Sequence, residues 1–201
     1  MFFKNLFKRK PVIAVDVDDT LLDTISPLLE YFNSTHDKQI TREQCVNYRL
    51  QKIFGYSEEE GLAKIKFFFT SSQGENLEPV PGAIEAVQAL KNDFSLIALT
   101  ARWKHLQKLT EKQLEKHFPG SFQKVVCCGD DMTKKDYCTR KKIRHIIDDA
   151  PHHAHECAEN GINSYLFGDY GWNKEYRTIP GLSRTLNWKE VCDILLKKTT
   201  L

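Results

Sequence analysis

The chain of 201 residues contains no apolar run of the roughly 18 residues that a membrane-spanning helix needs. Its opening stretch, residues 1–10, is short, mixed and basic. It has neither the apolar centre nor the small-residue cleavage site of an export signal, so it is expected to be a solvated basic tail. A disulfide framework is missing as well. The six cysteines (Cys45, Cys127, Cys128, Cys138, Cys157 and Cys192) follow no framework spacing and are expected to be reduced thiols of a cytoplasmic protein. Charge of one sign is scarce: 29 Lys and Arg against 27 Asp and Glu leave +2, without the basic excess of a DNA-binding surface. No internal repeat or low-complexity segment occurs. With 41% apolar and 28% charged residues, the chain is a globular protein long enough to bury a core, which excludes collagen, a disordered tail and a disulfide mini-protein.

What is present is an alternation of strand and helix signals. Five short runs rich in Val, Ile, Leu and Phe predict buried strands: Val12–Val17, Phe94–Leu99, Lys124–Cys127, His145–Ile147 and Ser164–Phe167. Helix patterns fall between and after them, over Pro81–Lys91, Trp103–His117, Lys134–Lys142, Pro151–Asn160 and Trp188–Lys197. This order predicts an α/β fold, a Rossmann-like parallel sheet flanked by helices. One interval is too long. Asp16 and Thr100 stand 84 residues apart, where a strand–helix–strand unit needs about 30. The surplus, residues 24–79, carries the helix pattern Ile25–Phe32 and two capping-box spacings, Thr41 to Gln44 and Ser57 to Glu60. It is expected to be a small helical cap inserted after the first strand. The core is then residues 11–23 and 80–201, and the cap overlies the carboxyl ends of the strands, where open α/β sheets bind ligands.

The sharpest chemical signal is Asp16-Val-Asp18-Asp19-Thr20-Leu-Leu-Asp23, four carboxylates in eight residues directly after a buried strand. Residues i and i+2 of a strand point the same way, so Asp16 and Asp18 converge if the extended geometry persists. Converging carboxylates need a cation between them or a proton on one of them. Oxygen-only donors suit Mg²⁺. The bland alternative is an acidic turn closing a strand. A second pair, Asp148-Asp149, ends another apolar run, and Leu96–Leu99 ends in Thr100-Ala101-Arg102, whose hydroxyl and amides suit a phosphate oxygen. Lys134 and Lys135 follow the Lys124–Cys127 strand and suit the combined charge of carboxylates and phosphate.

In that order, Asp16-x-Asp18-x-Thr20, Thr100, a Lys and Asp148-Asp149 resemble the motifs of the haloacid dehalogenase (HAD) superfamily of phosphotransferases, over about residues 11–195. The insert lies where members with a helical cap of the first type carry theirs. Glu78–Ala83, Thr100–Arg102, Ile147–Asp149 and Tyr170-Gly-Trp-Asn173 are more narrowly similar to the 5′(3′)-deoxyribonucleotidases of cytosolic type C and to related bacterial nucleotidases. Those relatives often have Pro before the Trp-Asn pair, where this chain has Gly171. The resemblance implies a Mg²⁺-dependent phosphomonoesterase acting on a small phosphate ester, such as a (deoxy)nucleoside monophosphate. It implies Asp16 as nucleophile forming an aspartyl-phosphate, and Asp18 as acid and then base. It implies Mg²⁺ on Asp16, the backbone carbonyl of Asp18 and Asp149, with Asp148 in support. Thr100 and a Lys stabilise the transferring phosphoryl group. Lys135 is favoured for that Lys, ahead of Lys134 and then Lys124. Thr20, Ala101, Arg102, Lys134 and Phe68 are the expected substrate contacts. Asp19 and Asp23 are expected to cap turns and helices.

Other signals have bland readings. His152-His153-x-His155-x-Cys157 opens a helix on which neighbouring side chains diverge, short of a tetrahedral zinc set. Cys127, Cys128 and Cys138 read as small buried hydrophobes rather than a redox pair. Phe67-Phe68-Phe69 spans most of a helix circumference, so at least one member leaves the cap core and is free to stack on a base. Arg102 meets either a phosphate or ribose, or a surface carboxylate. Trp172-Asn173 is expected to order its loop. Three rivals remain: a phosphatase for another small metabolite such as a sugar phosphate, a phosphoacceptor receiver domain, and a non-catalytic nucleotide-binding module. An oligomer is compatible with all of them.

Overall fold

The computed structural model describes residues 10–36, 39–46, 53–129 and 131–197. The expected tail over residues 1–10 therefore lies, apart from Lys10, outside the described residues. Strand β1 (Val12–Val15) is followed by α1 (Ile25–His36), a 3-10 turn (Arg42–Gln44), α2 (Glu58–Phe68), α3 (Ser72–Glu75) and α4 (Ala83–Leu90). Then come β2 (Ser95–Thr100), a 3-10 turn (Lys104–Leu106), α5 (Gln107–His117), β3 (Phe122–Cys127), α6 (Lys134–Lys141) and β4 (His145–Asp148). The chain ends with α7 (Pro151–Glu159), β5 (Asn163–Phe167), β6 (Leu182–Thr185) and α8 (Trp188–Lys197).

The six strands form one parallel sheet in the order β3-β2-β1-β4-β5-β6. This is the Rossmann-like α/β fold that the alternation predicts. The sixth strand is the addition. Leu182-Ser-Arg-Thr185 has a single strongly apolar residue and forms the sheet edge beside β5, so it lacks the apolar run that marks the others. Strand β1 is central and covered on both faces. Ile13 and Val15 enter the core that also holds Leu96, Ile147 and Trp188, whereas Ala14 faces a second cluster with Leu99, Cys138, Ile146 and Cys157. All six cysteines are free thiols, five of them buried. Among the described residues, no helix is long and apolar enough to cross a membrane.

The connection direction reverses between β1 and β4, which are neighbours in the sheet. Such a switch point opens a crevice at the carboxyl edge. Residues 24–79 leave and rejoin the sheet beside it. The two linkers lie side by side: Asp23 N–H donates to the Glu78 carbonyl at 2.8 Å, and Val80 N–H donates to the Leu21 carbonyl at 2.9 Å. Between them the segment is held by aromatic packing. Phe32 lies 5.1 Å from Phe54 and 5.9 Å from Tyr56, and Tyr31 lies 5.8 Å from Phe68, as ring centroids. The capping box at Ser57 forms. Ser57 N–H donates to Glu60 Oε2 at 3.0 Å, and Glu60 N–H donates to Ser57 Oγ at 3.2 Å. At Thr41 the backbone N–H donates to Gln44 Oε1 at 2.8 Å, and the structure it caps is a single 3-10 turn.

Candidate active site

A cavity of about 510 Å³ opens over the carboxyl ends of β1, β2 and β4. Asp16, Asp18, Thr100, Ala101, Arg102, Lys134 and Asp149 line its floor, and Ile25, Leu28, Ile65 and Phe69 of the inserted segment line its roof. The floor is assembled by register. Val15 pairs with Ala98 on one side and Ile147 on the other, so the residues that follow these strands emerge at one level. Asp16 extends the ladder, with its N–H donating to the Ile147 carbonyl at 2.9 Å.

Asp16, Asp148 and Asp149 each offer a carboxylate oxygen within 4.8 Å of the others, and all three are buried. Lys134 Nζ reaches Asp16 Oδ1 at 2.8 Å and Asp148 Oδ2 at 2.7 Å. Asp18 turns away from this cluster. Arg102 Nε lies 3.0 Å from its Oδ2 and Arg102 Nη2 lies 2.7 Å from its Oδ1, while Thr24 and Thr100 donate their hydroxyls at 2.6 and 3.2 Å. Arg102 is itself anchored. Its Nη1 donates to Gln113 Oε1 at 2.7 Å, and Gln113 Nε2 donates to the Gly74 carbonyl at 2.8 Å. The guanidinium carbon lies 4.6 Å from the Phe69 ring centre.

Asp16, Asp18, Asp148 and Asp149 face Lys134 and Arg102, a formal excess of two negative charges when all are ionised, while Asp19, which also lines the cavity, pairs with Arg42 at 3.6 Å. The strain appears in their proton affinities. Burial pushes Asp16 up to about 7 against the pull of Lys134. Burial and then Asp16 hold Asp149 well above the ordinary carboxylate range. Burial acts the same way on Asp148 and Asp18, but it is outweighed at the first by Lys134, His153 and the Ala150 N–H together, and at the second by Arg102, Thr24 and Lys134 together, so both lie below the ordinary range. Lys134, which burial would lower, is held above its usual value by Asp148 and Asp16. Burial and the Lys134 charge lower His153 to about 3. A buried oxygen-only triad with surplus negative charge fits a divalent cation of the Mg²⁺ kind.

Several expected contacts are relocated. Lys135, the lysine favoured by the sequence, bonds Asp136 at 2.6 Å and approaches Glu156 at 3.7 Å, away from the floor. Thr133 caps α6, so Lys134 is the first helical residue and faces the sheet edge, and the next residue is rotated by about 100°. Lys124 is exposed on β3. Phe68, the expected base contact, is fully buried within the insert, and Phe69 lines the cavity in its place. Phe67 is 64% exposed. Thr20 does not line the cavity. Its side chain is buried, and its hydroxyl has no partner among the described residues. The Asp18 carboxylate, whose backbone carbonyl rather than side chain is the expected metal contact, is held by Arg102. Arg102 lines the cavity, and the carboxylate it pairs with, Asp18, belongs to the floor rather than to the surface. Asp19 and Asp23 do cap α1: Asp19 Oδ1 accepts from Ile25 N–H at 3.1 Å, and Asp23 Oδ1 accepts from Ser26 N–H at 3.2 Å.

Two floor residues escape the sequence reading. His153, opening α7, lines the cavity near Lys134, although its sequence signal is a histidine-rich helix start. Trp172 donates its indole N–H to Asp149 Oδ2 at 2.9 Å. The Trp-Asn pair after β5 is its only signal.

The family described as "5′ nucleotidase, deoxy (Pyrimidine), cytosolic type C protein" is matched over residues 10–201. An uncharacterized 32.4 kDa protein of Enterobacteria phage T4, from the Gp30–rIII intergenic region, is 29% identical over 163 residues, covering 75% of this chain and 58% of that protein. The chain thus spans a little over half the length of the curated relatives it matches. Among solved structures, a haloacid dehalogenase-like hydrolase from Streptococcus pneumoniae superposes with a TM-score of 0.69 at 12% identity, covering 92% of this chain and 98% of that one. A HAD-type hydrolase from Bacillus subtilis, bound to magnesium, superposes with a TM-score of 0.60 at 18% identity over 94% and 99%. At these identities the superpositions establish the fold.

Proposed function

This chain belongs to the cytosolic type C 5′-nucleotidase family, within the HAD superfamily, and from that premise we propose that it is a Mg²⁺-dependent phosphomonoesterase of small phosphate esters. The favoured substrate is a (deoxy)nucleoside monophosphate. The observation that carries this reading is the convergence of Asp16, Asp148, Asp149 and Lys134 at the strand edge beneath a cavity roofed by Phe69, Ile65 and Leu28. An apolar roof over a charged floor fits a ligand with a flat base at one end and a phosphate at the other. Residues 24–79 act in this scheme as a cap over a core of residues 11–23 and 80–201.

Asp16, Asp148 and Asp149 are the residues that would hold Mg²⁺. When bound there, the cation would supply charge compensation for the phosphoryl oxygens. Asp16 attacks phosphorus in line, forming a P–O bond to its carboxylate as the P–O bond to the alcohol breaks. Asp18 gives a proton to the departing alkoxide, then takes one from the water that hydrolyses the aspartyl-phosphate. The paired, ionised Asp18 of this structure suits the second half. The first half requires Arg102 to loosen its hold so that the carboxyl can carry the proton. Thr100 and Lys134 donate to the phosphoryl oxygens. The test is a phosphate-release screen with Mg²⁺ over ribonucleotides, deoxynucleotides and sugar phosphates. Turnover highest on nucleotides supports the reading, whereas equal rates on sugar phosphates move it to the other metabolite class.

A further inference from the structure

Asp149 differs from its two companions in the triad. Asp16 and Asp148 each hold Lys134, but Lys134 does not touch Asp149. Among the described residues, one hydrogen bond reaches the Asp149 carboxylate, from the Trp172 indole N–H to Oδ2 at 2.9 Å. An indole is a neutral donor. It fixes the plane of a carboxylate without cancelling its charge, and it leaves the second oxygen uncommitted.

The indole is held in turn from both sides of the crevice. Asn173 Nδ2 donates to the Asp149 carbonyl at 2.9 Å and the Phe167 carbonyl at 2.8 Å, which ties the loop to the ends of β4 and β5. Tyr170 stacks on Trp172 with ring centres 4.6 Å apart, and its hydroxyl donates to the Asp19 carbonyl at 2.7 Å. Gly171 is seated so close to the inserted segment that a Cβ there would stand 2.6 Å from the Cys45 carbonyl oxygen. A side chain stacked on Tyr170 and carried on a loop fixed at so many points, spending its one donor on a carboxylate, is built to orient that carboxylate.

We infer that Trp172 is a positioning residue of the cation site, holding Asp149 in the orientation that a divalent cation requires. The inference rests on the proposed function in taking the triad as a cation site. Partners that orient metal-binding carboxylates typically contribute about 10–100-fold in metal affinity.

The test is calorimetric titration of the full chain with Mg²⁺ alone, no substrate present, for the wild type and Trp172→Phe, which keeps an aromatic ring and removes the donor. The expected result is a Mg²⁺ dissociation constant raised about 10–100-fold. The melting temperature of the metal-free protein should change little, and KM for the phosphate ester at saturating Mg²⁺ should stay within about threefold of the wild type. Unchanged Mg²⁺ affinity overturns the inference. A raised KM with Mg²⁺ affinity intact also overturns it, by making Trp172 a substrate contact. A wild type that binds no Mg²⁺ removes the cation site, and the proposed function falls with it. A wild type that binds Mg²⁺ beside an equally tight variant removes only the role of Trp172. If Trp172→Phe does not fold, the unsubstituted chain labelled with 5-fluorotryptophan serves instead. Its Trp172 resonance, assigned by elimination with Trp103→Phe and Trp188→Phe, should move with the same midpoint as the Mg²⁺ titration, and a resonance that stays put overturns the inference.

Discussion

The floor and the roof of the cavity are built by different means. On the floor, parallel register brings the ends of β1, β2 and β4 to one level, and Asp16 and Asp148 share the Lys134 ammonium within about 3 Å. In the roof, side chains from α1, α2 and the segment around Phe54 meet through aromatic contacts of 5–6 Å that tolerate many geometries. A carboxylate moved by an ångström loses a partner, whereas a ring moved by an ångström still packs. In the proposed function, chemistry belongs to the first kind of construction and substrate choice to the second.

The sharpest break in that contrast is Asp16→Asn. It should lower phosphate release at least about 1,000-fold, because an amide cannot serve as the nucleophile. A small aryl phosphate with Mg²⁺ provides the assay, and retained activity would remove Asp16 from the role.

Next comes Lys134→Met. Removing the cation shared by Asp16 and Asp148 leaves two buried carboxylates uncompensated, and should cost about 3–5 kcal/mol in urea denaturation at neutral pH as well as most of the activity. Lys135→Met, one residue further along α6, should change stability by less than about 0.5 kcal/mol and leave turnover intact. Equal effects of the two would erase the distinction between floor and surface.

A roof substitution should separate binding from turnover. Ile65→Ala is expected to raise KM about tenfold with kcat nearly unchanged, since Ile65 is only partly buried and the change removes apolar area from the cavity and no reacting group. Phe68→Ala should instead cost about 3–5 kcal/mol of stability with KM unaltered, as a buried truncation within the cap.

The smallest effect is on pH dependence without metal. Asp16 and Asp19 have folded values of about 7, above an ordinary 3.8, and Asp149 is raised too. Between pH 4 and 7 the unfolded chain has released these protons while the folded chain keeps them. Stability should therefore fall as pH rises through that window. His153, lowered from 6.5 to about 3, opposes this with one group against three. Asp18 and Asp148, held below their ordinary values, act only below about pH 4. The metal-free melting temperature should decline by a few degrees from pH 4 to 7, and saturating Mg²⁺ should flatten the decline. A flat metal-free profile would mean that the floor charges are already compensated.

Much of the floor was readable in the chain because carboxylates repel one another, and a buried strand seldom ends in a cluster of them unless a cation gathers them. Asp16, Thr100 and the Asp148-Asp149 pair needed only the ends of the apolar runs to be placed, whereas periodicity did not separate Asp149 from Asp148. Lys134 and Lys135 could not be separated that way. The choice depends on where α6 begins, and one residue of error turns the helix by about 100°. The same angle moved the cavity contact from Phe68 to Phe69. Edge strand β6 escaped because its side chains carry little apolar signal. Arg102 and Trp172 were visible as residues but not as partners, since Asp18 lies 84 positions from the first and Asp149 lies 23 from the second. Pairing over such distances is a property of the fold and leaves no local pattern.

The two linkers of the inserted segment, bonded to each other at Asp23–Glu78 and Leu21–Val80, have a consequence for descent as well as for mechanics. Chain enters and leaves that segment at neighbouring points, so whatever lies between them can lengthen, shorten or be exchanged without moving a strand. On the proposed function such a junction works as a socket: new roofs, and with them new substrates, can be fitted over an unaltered set of reacting groups.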